Sequence, residues 1–314
     1  MGAIISSLIG AASQGVLWGM LVLGVYITFK LLNIADLTVD GSFALGGMIC
    51  AILIADKHLS PLLTLLIATL GGAMAGLITG ALHSFFEIPS ILAGILTQIS
   101  IWSINLRISG KRSNISIGKK DTIFSSFTDV TGLSKAQSSL IIGVIIIVLT
   151  IAFLYWLFGT ELGAALRATG NNEAMIRALG VDTKITKLLG LVISNALVGL
   201  SGAIVAQSQG YGDINMGTGA IVIGLAAIVI GEVLLSRVIS FWAKLFAAVA
   251  GSVVYFIIRA IVLRLGLDSD YMKMLSAIIV AISLAFPIVM EKWKIKKIRR
   301  KNWKKKKIKV QKML

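Results

Sequence analysis

Long apolar runs separated by short polar punctuation dominate this chain. Stretches such as residues 140–158 and 188–208 carry no charged side chain. Each is long enough, as a helix, to cross a hydrocarbon core of about 30 Å. The pattern predicts an all-α polytopic membrane protein with spans near residues 5–29, 42–56, 61–82, 89–107, 138–158, 188–208, 216–235, 242–264 and 271–290. The second is short, and it reads best joined to the polar stretch before it as one interrupted helix, which makes eight or nine spans. Pro61 and Pro89 stand where spans begin, and Pro287 near the end of the last.

Composition strengthens the membrane reading. Apolar residues make up 57% of the chain and charged ones 14%, with a mean hydropathy of +0.92, whereas a soluble domain carries about a quarter charged residues. The net charge of +16 is unevenly placed: residues 291–314 hold thirteen Lys/Arg and one Glu, a net of +12, so the rest carries +4. A basic segment directly after an apolar span points to the cytoplasmic face and anionic lipid, not to nucleic acid. The chain thus divides into a transmembrane unit, residues 1–290, and a basic cytoplasmic tail, residues 291–314. Counting spans back from that tail puts the polar connection 159–187 in the cytoplasm and 107–137 outside. The outer loop holds six Lys/Arg against two Asp, against the usual bias, and no structural task for them is evident in the sequence. They are expected to dock an acidic partner surface. One cysteine, Cys50, excludes an internal disulfide, and His58 and His83 lie far apart, so no metal site is expected. The N-terminal run reads as a first span and not as a cleaved signal.

The chain echoes itself. Asp36-Leu-Thr-Val-Asp-Gly41 and Asp213-Ile-Asn-Met-Gly217 each lead into a Gly-spaced apolar helix. Interrupted helices leave free backbone groups and positive helix ends inside a membrane, which is tolerated where they line a cavity. Residues 41–55 and 217–235 are therefore expected to begin as half-helices at mid-membrane. Asp36, Asp40 and Asp213 are each open to two readings, as N-caps of the helix that follows or as groups on a solute path. Glu232 is expected to pair with Arg237, and Arg259 with Arg264 to snorkel outward.

The segment from Glu161 to Asp182 reads as two short amphipathic helices joined at Gly170-Asn171-Asn172 and ending at Gly180. Glu173 and Arg177 form an i,i+4 pair in the favourable order. Ala174, Ile176 and Leu179 offer apolar contact, and Arg167 and Arg177 could reach carboxylates on a partner.

This segment, Arg167-Ala168-x-Gly170-x-Asn172 with Ala174, Arg177 and Gly180, resembles the cytoplasmic coupling loop of ATP-binding-cassette importer permeases of the branched-chain amino-acid and ribose-type superfamily. Asn33-Ile-Ala-Asp36, followed by Gly41, Gly46 and Gly47, resembles the interrupted second helix of the same superfamily. Residues 224–235 are similar to its tryptophan/tyrosine-type branch. The resemblance runs from about Gly15 to Met290 and leaves out the basic tail. It implies a permease that forms a homodimer or pairs with a homologue, two copies of a separate ATPase below, and an extracytoplasmic binding protein above. It further implies coupling through Arg167, Ala168, Gly170, Asn172, Ala174, Arg177 and Gly180, and a path near Asn33, Asp36, Asp40, Gly41, Asp213 and Asn215. No catalytic residue and no cofactor are expected. The sequence lacks a phosphate-binding Gly-x-x-x-x-Gly-Lys-Ser/Thr loop, so ATP hydrolysis belongs to another chain. An amino acid, aromatic ones included, is the expected solute. A sugar or nucleoside importer and an ion-driven secondary carrier stay open.

Overall fold

The computed structural model describes residues 2–118, 120–235 and 240–266, and beyond them 271, 274, 276–282, 285, 289 and 293. Eleven of the twenty residues of the expected span 271–290 are described, and of the tail 291–314 only residue 293; the others lie outside the described residues.

Helix α1, Gly2–Tyr26, continues through a wider turn, Ile27–Leu31, in which the Leu32 N–H donates to the Ile27 carbonyl five residues back at 3.0 Å. Asn33 ends it at φ 56°, a left-handed conformation that Asn tolerates better than most residues. Then follow α2 (Thr38–Ala55), α3 (Pro61–Ser84), α4 (Ser90–Ile108), strand β1 (Asn114–Ser116), α5 (Ile123–Thr131), α6 (Lys135–Gly159), α7 (Glu161–Asn171), α8 (Glu173–Ala178), α9 (Thr183–Gln209), strand β2 (Tyr211–Asp213), α10 (Ala220–Leu234) and α11 (Phe241–Arg264). The polar punctuation acts as caps. The Ser134 hydroxyl accepts the Gln137 N–H, Thr160 that of Gly163, Asn172 that of Met175 and Asp182 that of Lys184, which satisfies donors that a helix start leaves free.

Among the described residues seven helices are long and apolar enough to cross a membrane: α1 with its wide turn, α2, α3, α4, α6, α9 and α11. This corrects the expected spans in two places. The second starts four residues earlier than expected, at Thr38 just after the break, and runs 18 residues. The expected span 216–235 is shorter than a crossing, because its helix starts only at Ala220 and has 15 residues.

Helix α9 forms the centre. Gly46 of α2, Gly72 of α3 and Gly199 of α9 meet where a Cβ would run into a neighbouring backbone: into the Gly199 carbonyl from Gly46, and into the Asn195 carbonyl from Gly72. Small residues let three apolar helices approach this closely, which is how packing can hold a bundle when lipid is as apolar as the side chains. Helices α4 and α6 stand outermost, with Leu96, Ile99, Trp102, Leu149 and Trp156 exposed.

At the end of the bundle where α2 finishes, β1 and β2 pair antiparallel, Ile115 opposite Gly212. Here the basic loop does have structural work. Arg112 pairs with Asp56 at 2.5 Å and donates to the Ser109 carbonyl, while Lys120 donates to the Ala55 carbonyl beside His58. These cations cap the C-terminal end of α2, where free carbonyls attract positive charge. Gln207 adds a second tie, accepting the Ile123 N–H at 3.0 Å and donating to the Pro61 carbonyl.

Candidate functional site

The break between α1 and α2 organises the interior. Asp36 is fully buried: one oxygen accepts the Thr38 N–H at 2.9 Å, the first of α2, and the other accepts from the Asn195 amide at 2.7 Å. Asn195 in turn accepts from Ser42 at 2.7 Å. Beside this chain Thr38, Thr79 and Thr97 link through their hydroxyls at 2.6 and 2.9 Å. Asn195 lies twelve residues into α9, about 18 Å along its axis. Buried polar groups at such depth are stable because each has a partner.

Asp40 does something the sequence did not suggest. It sits in the first turn of α2 but holds the start of another helix: its oxygens accept the N–H groups of Gly219 at 2.8 Å and Ile221 at 2.9 Å. It therefore caps α10, not the helix it belongs to. The chain reaches it by descending along α2 from β2. Gly212 lies against the Gly47 carbonyl and Gly217 against the Asp40 carbonyl, with Met216 beside Gly47 between them. At Gly217 a Cβ would meet that carbonyl, so only glycine fits. Thus α10 begins inside the bundle, as the echo implied, whereas α2 is full length. Asp213 caps neither helix; it accepts the Asn215 N–H at 2.7 Å in a local turn.

A cavity of about 230 Å³ opens between α2, α4 and residues 214–218. Asp40, Gly41 and Asn215 line it, with Gln98, Asn105 and Thr218. Three of the six path residues expected from the sequence meet here. Asn33 is exposed at the end of α1, Asp36 is sealed in its network, and Asp213 stands at the sheet. The missed residue is Asn105. Its side chain is buried, and neither its amide nitrogen nor its oxygen has a partner. The signal was present: an amide two turns after Gln98 on the apolar run of α4, where polar side chains rarely stand without a function.

The expected helix pair is α7 and α8, and it is seated firmly. Gly170 lies in the last turn of α7, where a Cβ would overlap the Leu31 carbonyl. Its role is close approach, not the turn, since the joint itself falls at Asn172. Leu32 reaches into Gly190 of α9, and Leu166 of α7 packs at the same glycine. Arg167 is turned back over the Phe241 ring, 5.4 Å from its centroid, so it does not point toward a partner as expected. Arg177 is likewise engaged, to Glu173 at 2.6 Å and to Thr183 at 3.0 Å. Lys187 pairs with the other Glu173 oxygen at 2.6 Å. Ile176 is buried, whereas Leu162, Ala174, Met175 and Leu179 are exposed. Nearby, Glu232 pairs with Lys30 at 2.9 Å; Arg237, its expected partner, lies outside the described residues.

Hydrogen bonding from Lys187, with Thr183 and the positive charge of Lys187 and Arg177 adding to it, holds the Glu173 carboxyl below its ordinary value, against a smaller opposing effect of burial. A carboxyl depressed by folding stabilises the fold above its unfolded pKa, and that contribution is lost as pH falls through the folded value. Acidification below the ordinary glutamate range should therefore loosen α8 first. Amide protection at Ile176 and Arg177, corrected for the intrinsic pH dependence of exchange, should fall there, and Glu173→Gln should remove that fall; unchanged protection below that range would refute it.

The sequence pattern of a known family, the permease component of the branched-chain amino acid transport system, matches residues 7–284. A tyrosine transport system permease protein of Clostridioides difficile (strain R20291) is 35% identical over 280 residues, covering 89% of this chain and 91% of that protein. An uncharacterized protein of Rickettsia prowazekii (strain Madrid E) is 34% identical over 281 residues, covering 88% and 96%. An inner membrane ABC transporter permease protein of Escherichia coli (strain K12) is 24% identical over 184 residues, covering 58% and 55%. With seven apolar, span-length helices among the described residues and the family pattern matched over residues 7–284, this chain belongs to the branched-chain amino acid transport system permease family, the membrane subunits of ATP-binding-cassette importers.

Proposed function

We propose that the chain is the membrane half of an importer for an amino acid, with aromatic amino acids the first to test. An ATPase binds α7 and α8 on the cytoplasmic side, and an extracytoplasmic binding protein docks at the β1–β2 end. A second copy of the chain covers the cavity at Asp40 and Asn105 and completes the path, because a polar cavity open to lipid would be costly. The tyrosine permease likeness supports the solute class. The mechanism follows from one observation: Gly170 of α7 rests on the Leu31 backbone at the break that leads into α2. A push on the helix pair meets Leu31 and Leu32 directly. Asp36 and the start of α2 come four residues later, and Asp40, holding α10, lies one turn beyond. Contact by contact, the docking surface and the cavity wall belong to one packed series, the kind of element that carries coupling.

The exposed apolar residues of α8 and its C-terminal cap provide a clean test. Met175 is 51% exposed and Leu179 71%, so Met175→Asp with Leu179→Asp costs the isolated permease little. Burial of each on a partner is worth about 1.5–3 kcal/mol. The double variant should keep its melting temperature yet lose at least tenfold in affinity for the co-expressed ATPase. Equal ATPase recovery with the unmodified chain would end the coupling assignment.

A further inference from the structure

On the opposite side of residues 214–219 from the polar cavity lies a second opening, in two lobes of about 400 and 280 Å³. Both are lined by Trp18, Gln209 and Arg259, and Thr218 lines both the larger lobe and the polar cavity. Arg259 sits five residues before the end of α11, about 7 Å inside it. Its side chain was expected to snorkel outward. Instead it lies over the Phe256 ring, 5.8 Å from the centroid, and turns into the cleft. Among the described residues no acidic side chain lines either lobe and Arg259 has no carboxylate partner. Trp18 packs on Phe256 and Phe43 at 5.5 and 4.6 Å between ring centroids, and its buried indole N–H has no acceptor. A guanidinium with no carboxylate among the described residues and an indole N–H with no acceptor, on two residues that line the same cleft, are each costly unless a ligand answers them.

We propose that this cleft binds a small carboxylate-bearing solute with a flat apolar body. The guanidinium fork matches a carboxylate, the indole N–H adds a donor, and Trp18, Phe43 and Phe256 form an aromatic wall for the body. The larger lobe falls within the size range of small-molecule sites, about 300–1,000 Å³. Gln209 and Thr218 offer neutral oxygens, so a zwitterion fits as well as a simple acid. The proposal rests on the importer reading only for how the solute arrives.

The test uses the full-length chain in lipid nanodiscs and three probes: L-tyrosine, 3-phenylpropionate and tyramine. The first two should bind and tyramine, which lacks the carboxylate, should not. Loss of a charge-assisted bond predicts about a ten- to hundredfold weakening in Arg259→Gln, with part of it restored in Arg259→Lys. Trp18→Phe keeps the ring stacking and should weaken both acids several-fold, and it carries the test if Arg259→Gln does not assemble. Tyramine binding as well as 3-phenylpropionate overturns the proposal, as does unchanged acid affinity in both Arg259→Gln and Trp18→Phe. Acid affinity that survives in Arg259→Gln while co-purified anionic lipid is lost makes the cleft a headgroup site and overturns it too. Substrate-stimulated activity of the ATPase, measured on the same variants co-expressed with it, separates these failures from failure of the importer reading.

Discussion

Gly170→Val should reduce solute uptake by at least tenfold while the chain still accumulates in the membrane. A Cβ at this position would overlap the Leu31 carbonyl and crowd the Leu32 Cα. Both are backbone atoms, so no side-chain rotation relieves the clash and α7 must lift from its seat. Overpacking of this kind costs about 1–3 kcal/mol, and a coupling free energy of that size is about a 5–150-fold effect. The membrane helices do not depend on the seat, because α9, α2 and α3 pack on one another at Gly46, Gly72 and Gly199. Loss should therefore appear as ATPase activity that no longer responds to loaded binding protein. Gly170→Ala adds the same first carbon and should show a smaller loss of the same kind. Gly159→Ala is the control, since a Cβ there meets nothing within 4 Å. Uptake by Gly170→Val within twofold of the unmodified chain would mean that the seat transmits nothing.

Much of this arrangement was legible in the chain. Charge-free runs longer than a crossing became α6 and α9 within a few residues, and Glu173 with Arg177 paired as their spacing required. What was not legible follows from the same physics. Helix starts came out late in the sequence reading at α2 and early at α10, because hydropathy does not distinguish a helical apolar residue from an extended one lying on a neighbour. Residues 214–219 carry no charge and so do not mark a boundary, yet they run along α2 because Asp40 claims the first N–H groups of α10. Partners across long sequence separations were equally hidden. Arg112 reaches Asp56 from the segment just before β1, and Asp36 reaches Asn195 on α9. Arg167 looked like a docking group by its place on a short exposed helix, but the ring of Phe241, over seventy residues later, draws it inward.

Asp40→Ala should lower the thermal stability of the detergent-solubilised permease more than any other substitution in the cavity wall, and should abolish uptake. Asp40 accepts two N–H groups at the start of α10, at 2.8 and 2.9 Å. Each hydrogen bond to a charged acceptor contributes about 1.5–3 kcal/mol, and a helix start adds a favourable dipole interaction. The alanine variant removes the acceptor of both donors at the start of α10, and an unpaired donor there carries its desolvation cost. Gly219, at φ 82°, holds the chain in the turn that presents these donors, so α10 cannot easily rewind to satisfy them from within. Asp40→Asn keeps one acceptor and turns an amide N–H₂ toward the other donor; its loss should be about half that of alanine. The pair of variants separates anchoring from solute contact. If Asp40 acts by holding α10, uptake and melting temperature fall together, alanine below asparagine. A cavity wall that merely offers charge to the solute would lose uptake in both variants at unchanged melting temperature. An Asp40→Ala chain that melts with the unmodified protein would therefore remove Asp40 as the anchor of α10.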